Sequence, residues 1–370
     1  MFLAIMNNKR LSFKRKVVNF IDYKLKIYKI TKSYKRRYNG YLKRGFERKI
    51  KLTQTQKSIY KEYWRALNSN VETDTVEICL NISGVFDKRI IPENIFAVDI
   101  ERTLLSKRDA FFLANKSIYN KWFISSNFPY IYLHKIENVF YSDDFKMVRK
   151  GGELNSILNS IHYPVIIKPN IDTSGGANVN VCYNQTDLLR FLNKSNNLII
   201  QELIKQNIFF EKIAPKSFNT VRVVLYKSVE NNEWTVLHCT LRMGVDGGFD
   251  NEAIGGIFCG IDSEGNLNNY AVNKYGEIFN KHPNSDFKFV GQLPLYEDLC
   301  QKSILIAEQL LYVRIVSLDM ILDEDMLWRP IEVNLKYASI RFSQYIGKPF
   351  FGDYTDEVLR YCKSNHWTLR

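Results

Sequence analysis

Three segments hold the residues whose types and spacing could do chemistry. The first is Tyr163 to Val181, YPVIIKPNIDTSGGANVNV. Val165 to Ile167 reads as a buried strand that ends on Lys168, followed by a turn carrying Thr173, Ser174, Gly175 and Gly176 and then a second strand. Paired glycines let backbone N–H groups approach a ligand, and a lysine at the strand end beside them is well placed to meet a phosphate. The lysine precedes the glycines, so this is not a Walker A loop; the plain alternative is a Gly-rich hairpin with a surface lysine. The second segment is SLDMILDEDMLWRPIEVN, Ser317 to Asn334, which reads as a hairpin. With its turn between Asp325 and Met326, Asp319 and Glu332 face each other, and period-two alternation puts Asn334 on the face of Glu332. Three oxygen donors on one side of a ribbon suit a hard cation such as Mg²⁺. Two acids directly opposite repel, which calls for a cation between them; Arg222, Arg242 or Arg341 could serve instead of a metal. The third segment, LIIQELIKQ (198–206), places Gln201, Glu202 and Leu203 on a strand whose backbone and carboxylate could meet an adenine edge.

The elements that must position these groups are mostly strands. Runs at Pro164–Lys168, Val179–Tyr183, Leu198–Leu203, Thr220–Tyr226, Glu233–Met243, Ile315–Leu322 and Leu327–Asn334 predict strands, with helices at Gln185–Leu192 and Tyr296–Leu311. The mixture lacks strict βαβ alternation and favours an α+β class with antiparallel sheets. Upstream, Thr75–Ile82 fits either a strand or a short helix. Pro92 opens a helix expected over Ala97–Ala114, and Lys116–Phe123 continues helically. Six glycines between Gly244 and Gly260 suggest a binding loop or a tight-turned hairpin.

Composition narrows the class. The chain has 370 residues, 45% hydrophobic and 25% charged, which excludes a disordered or collagen-like chain. No apolar run approaches the roughly 18 residues of a transmembrane helix, and no secretory cleavage site follows Met1–Met6. Six scattered cysteines without a CxxC pair predict reduced thiols in a cytoplasmic protein, and five histidines lack metal spacing. The net charge of +13 is local: residues 1–50 hold 16 Lys and Arg against Asp22 and Glu47, while the remainder carries 36 basic and 37 acidic residues. Within this basic segment Phe13, Val17, Phe20, Ile21, Leu25 and Tyr28 share helical spacing. A solvated helix partly packed on the core, an anionic membrane surface at the inner face of the membrane, and nucleic acid are the three readings. The last is unfavoured, because no helix-turn-helix, zinc-finger or RNA-binding motif follows.

Taken together, Lys116 at a helix start, the YPVIIKP strand with its Gly-rich loop, the QELI strand and the Asp…Glu-x-Asn hairpin resemble the ATP-grasp superfamily over roughly residues 110–345. SFNTVRVVLY (217–226) and LRMGVDGGFDNEAIGGIFCGID (241–262) are similar to its sugar-transfer-associated group. The resemblance implies two α+β subdomains clasping ATP, behind a basic helical extension. Expected boundaries are 1–52 for that extension, 53–159 for an α/β region, 160–210 for the small subdomain and 211–370 for the catalytic subdomain. It implies that Lys116 and Lys168 hold phosphates, that the Thr173 to Ala177 loop closes over them as a lid, and that Gln201, Glu202 and Leu203 line the adenine pocket. It further implies that Asp319, Glu332 and Asn334 ligate Mg²⁺ and that Arg222 and Arg242 face the γ-phosphate or an acceptor carboxylate. Asn219, Thr220, Asn251, Gly255, Gly256 and Arg341 are the expected substrate residues. The implied activity is ATP-dependent carboxylate–amine ligation through an acyl phosphate, joining an amino acid to a uronic acid or other sugar in surface-polysaccharide synthesis. Alternatives are an ATP-grasp kinase acting on a hydroxyl, and a non-catalytic membrane- or nucleic-acid-binding protein.

Overall fold

The computed structural model describes residues 2–44, 50–105, 110–171, 178–214, 217–248, 250, 255–336 and 338–370. The chain opens with α1 (Phe2–Met6) and the 32-residue α2 (Phe13–Arg44). α3 (Gln54–Trp64) follows, started by a Thr53/Gln56 capping box, then α4 (Asp74–Ser83), which ends at Gly84 in the left-handed region. Thr75–Ile82 is therefore helical. α5 (Glu93–Ile95), a π-helical turn over Phe96–Ile100 and α6 (Glu101–Leu104) form one run. This run is shorter than the helix expected to reach Ala114, because Leu105 turns extended and bridges to Val313. α7 (Tyr119–Trp122) continues the helical turn at Lys116–Ile118.

Two antiparallel sheets follow. The six-stranded one contains β1 (Ile131–Ile136), β2 (Val139–Tyr141), β3 (Met147–Val148), β4 (Val165–Lys168), β5 (Asn180–Cys182) and β6 (Leu198–Glu202), in the order β3-β2-β1-β6-β4-β5. α8 (Gly152–Ser160) and α9 (Gln185–Leu192) lie between its strands in sequence. Three of its strands precede residue 160 and were not expected. Their hairpin turns on Glu137 and Asn138, both at positive φ, rather than on an Asn-Gly signal. After α10 (Ile208–Ile213) comes the seven-stranded sheet. Its strands are β7 (Asn219–Lys227), β8 (Trp234–Met243), β9 (Ile257–Ile261), β10 (Leu267–Asn273), β11 (Ile278–Phe279), β12 (Ile315–Leu322) and β13 (Trp328–Asn334), ordered β11-β10-β9-β8-β7-β12-β13. α11 (Tyr296–Glu308) stops three residues short of the expected Leu311. α12 (Arg341–Gln344) and α13 (Thr355–Ser364) close the chain.

Alternation along β7 divides the large sheet. Val221, Val223 and Leu225 join a core under one face with Leu299 and Ile306 of α11. On the other face, Val224 and Tyr226 pack with Tyr60, Ile95, Phe342 and Phe351, and with Tyr38 and Tyr41 of α2. The basic helix is thus part of the fold. Its inward stripe is Asn19, Tyr23, Tyr38 and Tyr41, while Phe13, Ile21, Leu25 and Tyr28 point to solvent. Polar contacts fix this rotation: Asn19 Nδ2 donates to Thr368 O at 2.9 Å, and Tyr345 donates to the Tyr41 hydroxyl at 2.9 Å.

Candidate active site

The central strands of the large sheet put a row of charge on one face. Asp319 of β12 lies opposite Arg222 on β7 and opposite Glu332 on β13. The expected Asp319–Glu332 pairing is present, although the hairpin beyond it is centred on Asp325. A bulge at Ile331 restores the register between Met320 and Asp319. Asp323 Oδ1 builds the turn by accepting from the backbone N–H groups of Asp325 and Leu327, at 3.1 and 2.8 Å.

Asp319 is held by cations from the same sheet. Arg222 donates through Nε and Nη2 to its two oxygens, at 2.7 and 2.8 Å, a bidentate fork. Arg242 of β8 approaches Oδ2 at 3.1 Å, and Asn334 Nδ2 donates to the same oxygen at 3.2 Å. Burial alone would raise the Asp319 carboxyl, but the two guanidinium groups overcome it and hold the group well below the usual carboxylate range. Asp250 completes the row: it accepts from Thr220 and lies 3.6 Å from Arg242. Its carboxyl is raised by burial against the pull of Arg242.

Two lysines reach this row from the neighbouring elements. Asn115 caps the turn that carries Lys116, accepting from Ser117 N–H. The Lys116 backbone N–H donates to Asn170 O at 2.8 Å, and Asn170 Nδ2 donates to Ser117 Oγ at 3.0 Å. This clasp brings the Lys116 turn to the end of β4, where Lys168 stands. Tyr119 braces the turn on β13 by exchanging hydrogen bonds with the Val333 backbone. Lys116 Nζ consequently lies 2.9 Å from Glu332 Oε1. Both lysines are buried. Burial first, then the charge of Lys116, pushes the Lys168 ammonium down to about 8, against the pull of Glu332 and Asp319. Asn170 Oδ1 is buried beside them with no hydrogen-bond partner among the described residues.

The remaining expected residues divide. Gln201 is buried in β6 between β1 and β4. Glu202 accepts from Arg329 of β13 and so ties the two sheets together; Leu203 is partly buried. Asn219 is buried and donates its backbone N–H to Gln206 Oε1 at 2.8 Å. Gly255 is exposed at φ +113°, and Gly256 is buried at the entry to β9. Arg341 does not meet Asp319: it lies 3.5 Å from Glu93 and 3.5 Å from the Tyr41 hydroxyl, on the side of α2. Thr173 to Ala177 and Asn251 lie outside the described residues. Sequence reading passed over Asp250 and Asn170. Each had a signal, since Asp250 precedes the chosen Asn251 and Asn170 follows the Lys168-Pro169 pair.

The donor set bears on a metal. Among the described residues no group of three or more His, Cys, Asp and Glu could hold one. The set is two ionisable carboxylates and an amide, all able to offer oxygen, which matches Mg²⁺ sites that draw their other ligands from phosphate and water. In this structure guanidinium and ammonium groups meet both carboxylates, so at Asp319 and Glu332 a cation is the required partner whichever kind it is.

Residues 186–350 match the family model described as sugar-transfer associated ATP-grasp. Among solved structures, the biotin carboxylase domain of Hydrogenobacter thermophilus 2-oxoglutarate carboxylase, in complex with MgADP, ADP and bicarbonate, is 13% identical with a TM-score of 0.44. That match covers 70% of this chain and 47% of the other. N5-carboxyaminoimidazole synthetase from Staphylococcus aureus, complexed with ADP, is 9% identical with a TM-score of 0.42, over 66% and 52%. L-amino acid ligase from Bacillus licheniformis is 14% identical with a TM-score of 0.40, over 67% and 48%. The chain spans about half the length of each. No curated protein matches the sequence.

Proposed function

We propose, from the premise that residues 186–350 are a sugar-transfer associated ATP-grasp region, that the protein is an ATP-dependent carboxylate–amine ligase. The observation that carries this reading is the convergence of Lys116, Lys168, Arg222 and Arg242 on Asp319 and Glu332 where the two sheets meet. With Asp250 counted, four cations stand against three acids, and the remaining positive charge suits a polyphosphate or a carboxylate.

Lys168 and Lys116 hold the phosphates, and Thr173, Ser174, Gly175 and Gly176 are proposed as further phosphate-binding residues. Gln201, Glu202 and Leu203 line the base. Arg222 and Arg242, which both meet the Asp319 carboxylate, orient a substrate carboxylate for attack on the γ-phosphorus. Thr220, Asn219, Asn251, Gly255 and Gly256 border the acceptor. A carboxylate oxygen bonds to phosphorus as the bond to ADP breaks. An amine then attacks the acyl carbon, phosphate departs, and the amine's proton passes to solvent. The cations stabilise the charge that spreads over the transferring group. Mg²⁺ held by Asp319, Glu332 and Asn334 would neutralise phosphate oxygens. The link to sugars rests on the family's description, sugar-transfer associated, by analogy; a uronic acid and an amino acid as substrates, in surface-polysaccharide synthesis within the cytoplasm, are the finer proposal that the screen below tests.

The test is an ADP-release screen of amino acids crossed with uronic acid nucleotides and oligosaccharides. A ligase releases ADP only with carboxylate and amine together and yields an amide by mass. ADP with a hydroxyl acceptor and no amine makes it a kinase. No ADP with any pair sinks the catalytic reading.

A further inference from the structure

α2 is about 48 Å long at the usual helical rise, and its two faces are differently committed. The inner face packs on the body through Tyr23, Tyr38 and Tyr41. Its edge cations pair with acids of the body: Lys35 with Glu72 at 3.1 Å and Arg37 with Glu93 at 3.2 Å. On the opposite side Val18, Ile21, Leu25 and Tyr28 lie on one stripe by the 3.6-residue period. Ile21 is 51% and Tyr28 63% exposed. Lys14 and Arg15 precede the stripe and Lys29, Lys32 and Arg36 follow it, all exposed. Asp22 is the one acid of this helix, and it is paired with Lys26.

We infer that the outer face of α2 docks the protein flat on an anionic lipid bilayer. Charge and apolarity choose the partner together. The lysines and arginines at both ends of the stripe meet lipid phosphates, and the aliphatic centre enters the headgroup–acyl boundary, where exposed Ile and Leu leave water. A nucleic-acid backbone offers phosphates but nothing for the aliphatic centre. A second copy of the same face would bring like charges together. No helix among the described residues is long and apolar enough to cross a membrane, so the contact is with the surface. Because the inner face is anchored to Thr368 and Tyr345, docking fixes the orientation of the whole body rather than tethering it by a loose arm.

The experiment is co-sedimentation of the full chain, without nucleotide or substrate, with vesicles of phosphatidylcholine and with vesicles in which a third of the lipid is phosphatidylglycerol. Expected is binding to the anionic vesicles that weakens with salt. Ile21→Ser with Leu25→Ser should lower affinity at least tenfold at unchanged charge and unchanged thermal melting. Lys29→Gln with Lys32→Gln should lower it and flatten the salt dependence. Equal binding by the Ile21/Leu25 variant overturns the proposal, as does absence of vesicle binding. Salt-sensitive binding of RNA or DNA without vesicle binding overturns it for nucleic acid. Concentration-dependent dimers abolished by the Ile21/Leu25 pair, without vesicle binding, overturn it for self-association. No outcome depends on whether the chain is a ligase.

Discussion

Lys116, Lys168, Arg222 and Arg242 stand buried or nearly so against Asp319 and Glu332, whereas the cations along the outer face of α2 stand in solvent. The second group dominates the net charge of the sequence; the first hardly registers in it, since the chain beyond residue 50 is close to neutral. What separates them is dielectric. A buried cation must be paired, is held in one geometry and has its proton affinity tuned by neighbours. An exposed one contributes a small, additive and salt-screened attraction. The seam is therefore suited to recognising one ligand in one pose, and the helix to a surface of many equivalent anions.

The largest test of this contrast removes an acid from each region. Asp319→Ala leaves Arg222 and Arg242 buried without their shared carboxylate and should cost about 3–5 kcal/mol, read from urea denaturation. Asp22→Ala breaks an exposed pair and should stay within about 0.5 kcal/mol. A loss below about 1 kcal/mol at Asp319 would mean that the arginines find water or other partners, and the buried clamp would no longer explain the row.

A second test uses the tuned lysine. Lys168 in the ligand-free chain loses its proton near pH 8, and a bound polyphosphate would draw the proton back. ATP binding should therefore take up close to one proton between about pH 8 and 10, with affinity falling up to tenfold per pH unit above 8. Lys168→Ala should weaken binding by about 1.5–3 kcal/mol at neutral pH and abolish the proton uptake. Calorimetry with a non-hydrolysable analogue in two buffers of different ionisation enthalpy measures both. The sign for stability is opposite to the usual lysine: the folded value lies below the unfolded 10.5. The unfolded chain thus binds more protons between about 8 and 10.5, and this group makes the ligand-free fold more stable as pH rises through that window. A pH-independent affinity would place Lys168 outside the phosphate site.

The site was more legible in the sequence than its surroundings. Asp319 and Glu332 could be paired because a strand period of two and a short acidic turn leave little choice of register. The bulge at Ile331 could not be read, because it depends on how β13 meets the rest of the sheet. The cationic partners of Asp319 were open between metal and arginine, since register across β7 and β8 is set by loops whose lengths do not encode it. The hairpin of β1 and β2 escaped because Glu137-Asn138 reaches positive φ without a glycine. Which face of α2 turns inward could not be read for a different reason. The helix has two apolar stripes, one aliphatic and one tyrosine-rich, and periodicity ranks them equally. Which one turns inward is decided by Thr368, Tyr345 and Glu93, far away in the chain.

The smallest expected effect tests that last point directly. If Leu25 faces water, Leu25→Ser removes little buried area and creates no cavity, so melting and urea midpoints should shift by no more than about 0.5 kcal/mol. Had the aliphatic stripe been the inward one, the same change would cost about 2–5 kcal/mol, the range for emptying a leucine site in a packed core. Tyr41→Ala is the matched inward control. Tyr41 is nearly inaccessible, accepts from Tyr345 and lies against Tyr38 and Tyr275, so its truncation should cost about 3–5 kcal/mol. The difference between the two midpoints, measured in one buffer, reads the rotation of α2 about its axis without reference to lipid or nucleotide. Equal losses at both positions would mean the helix is buried all round and has no free outer face.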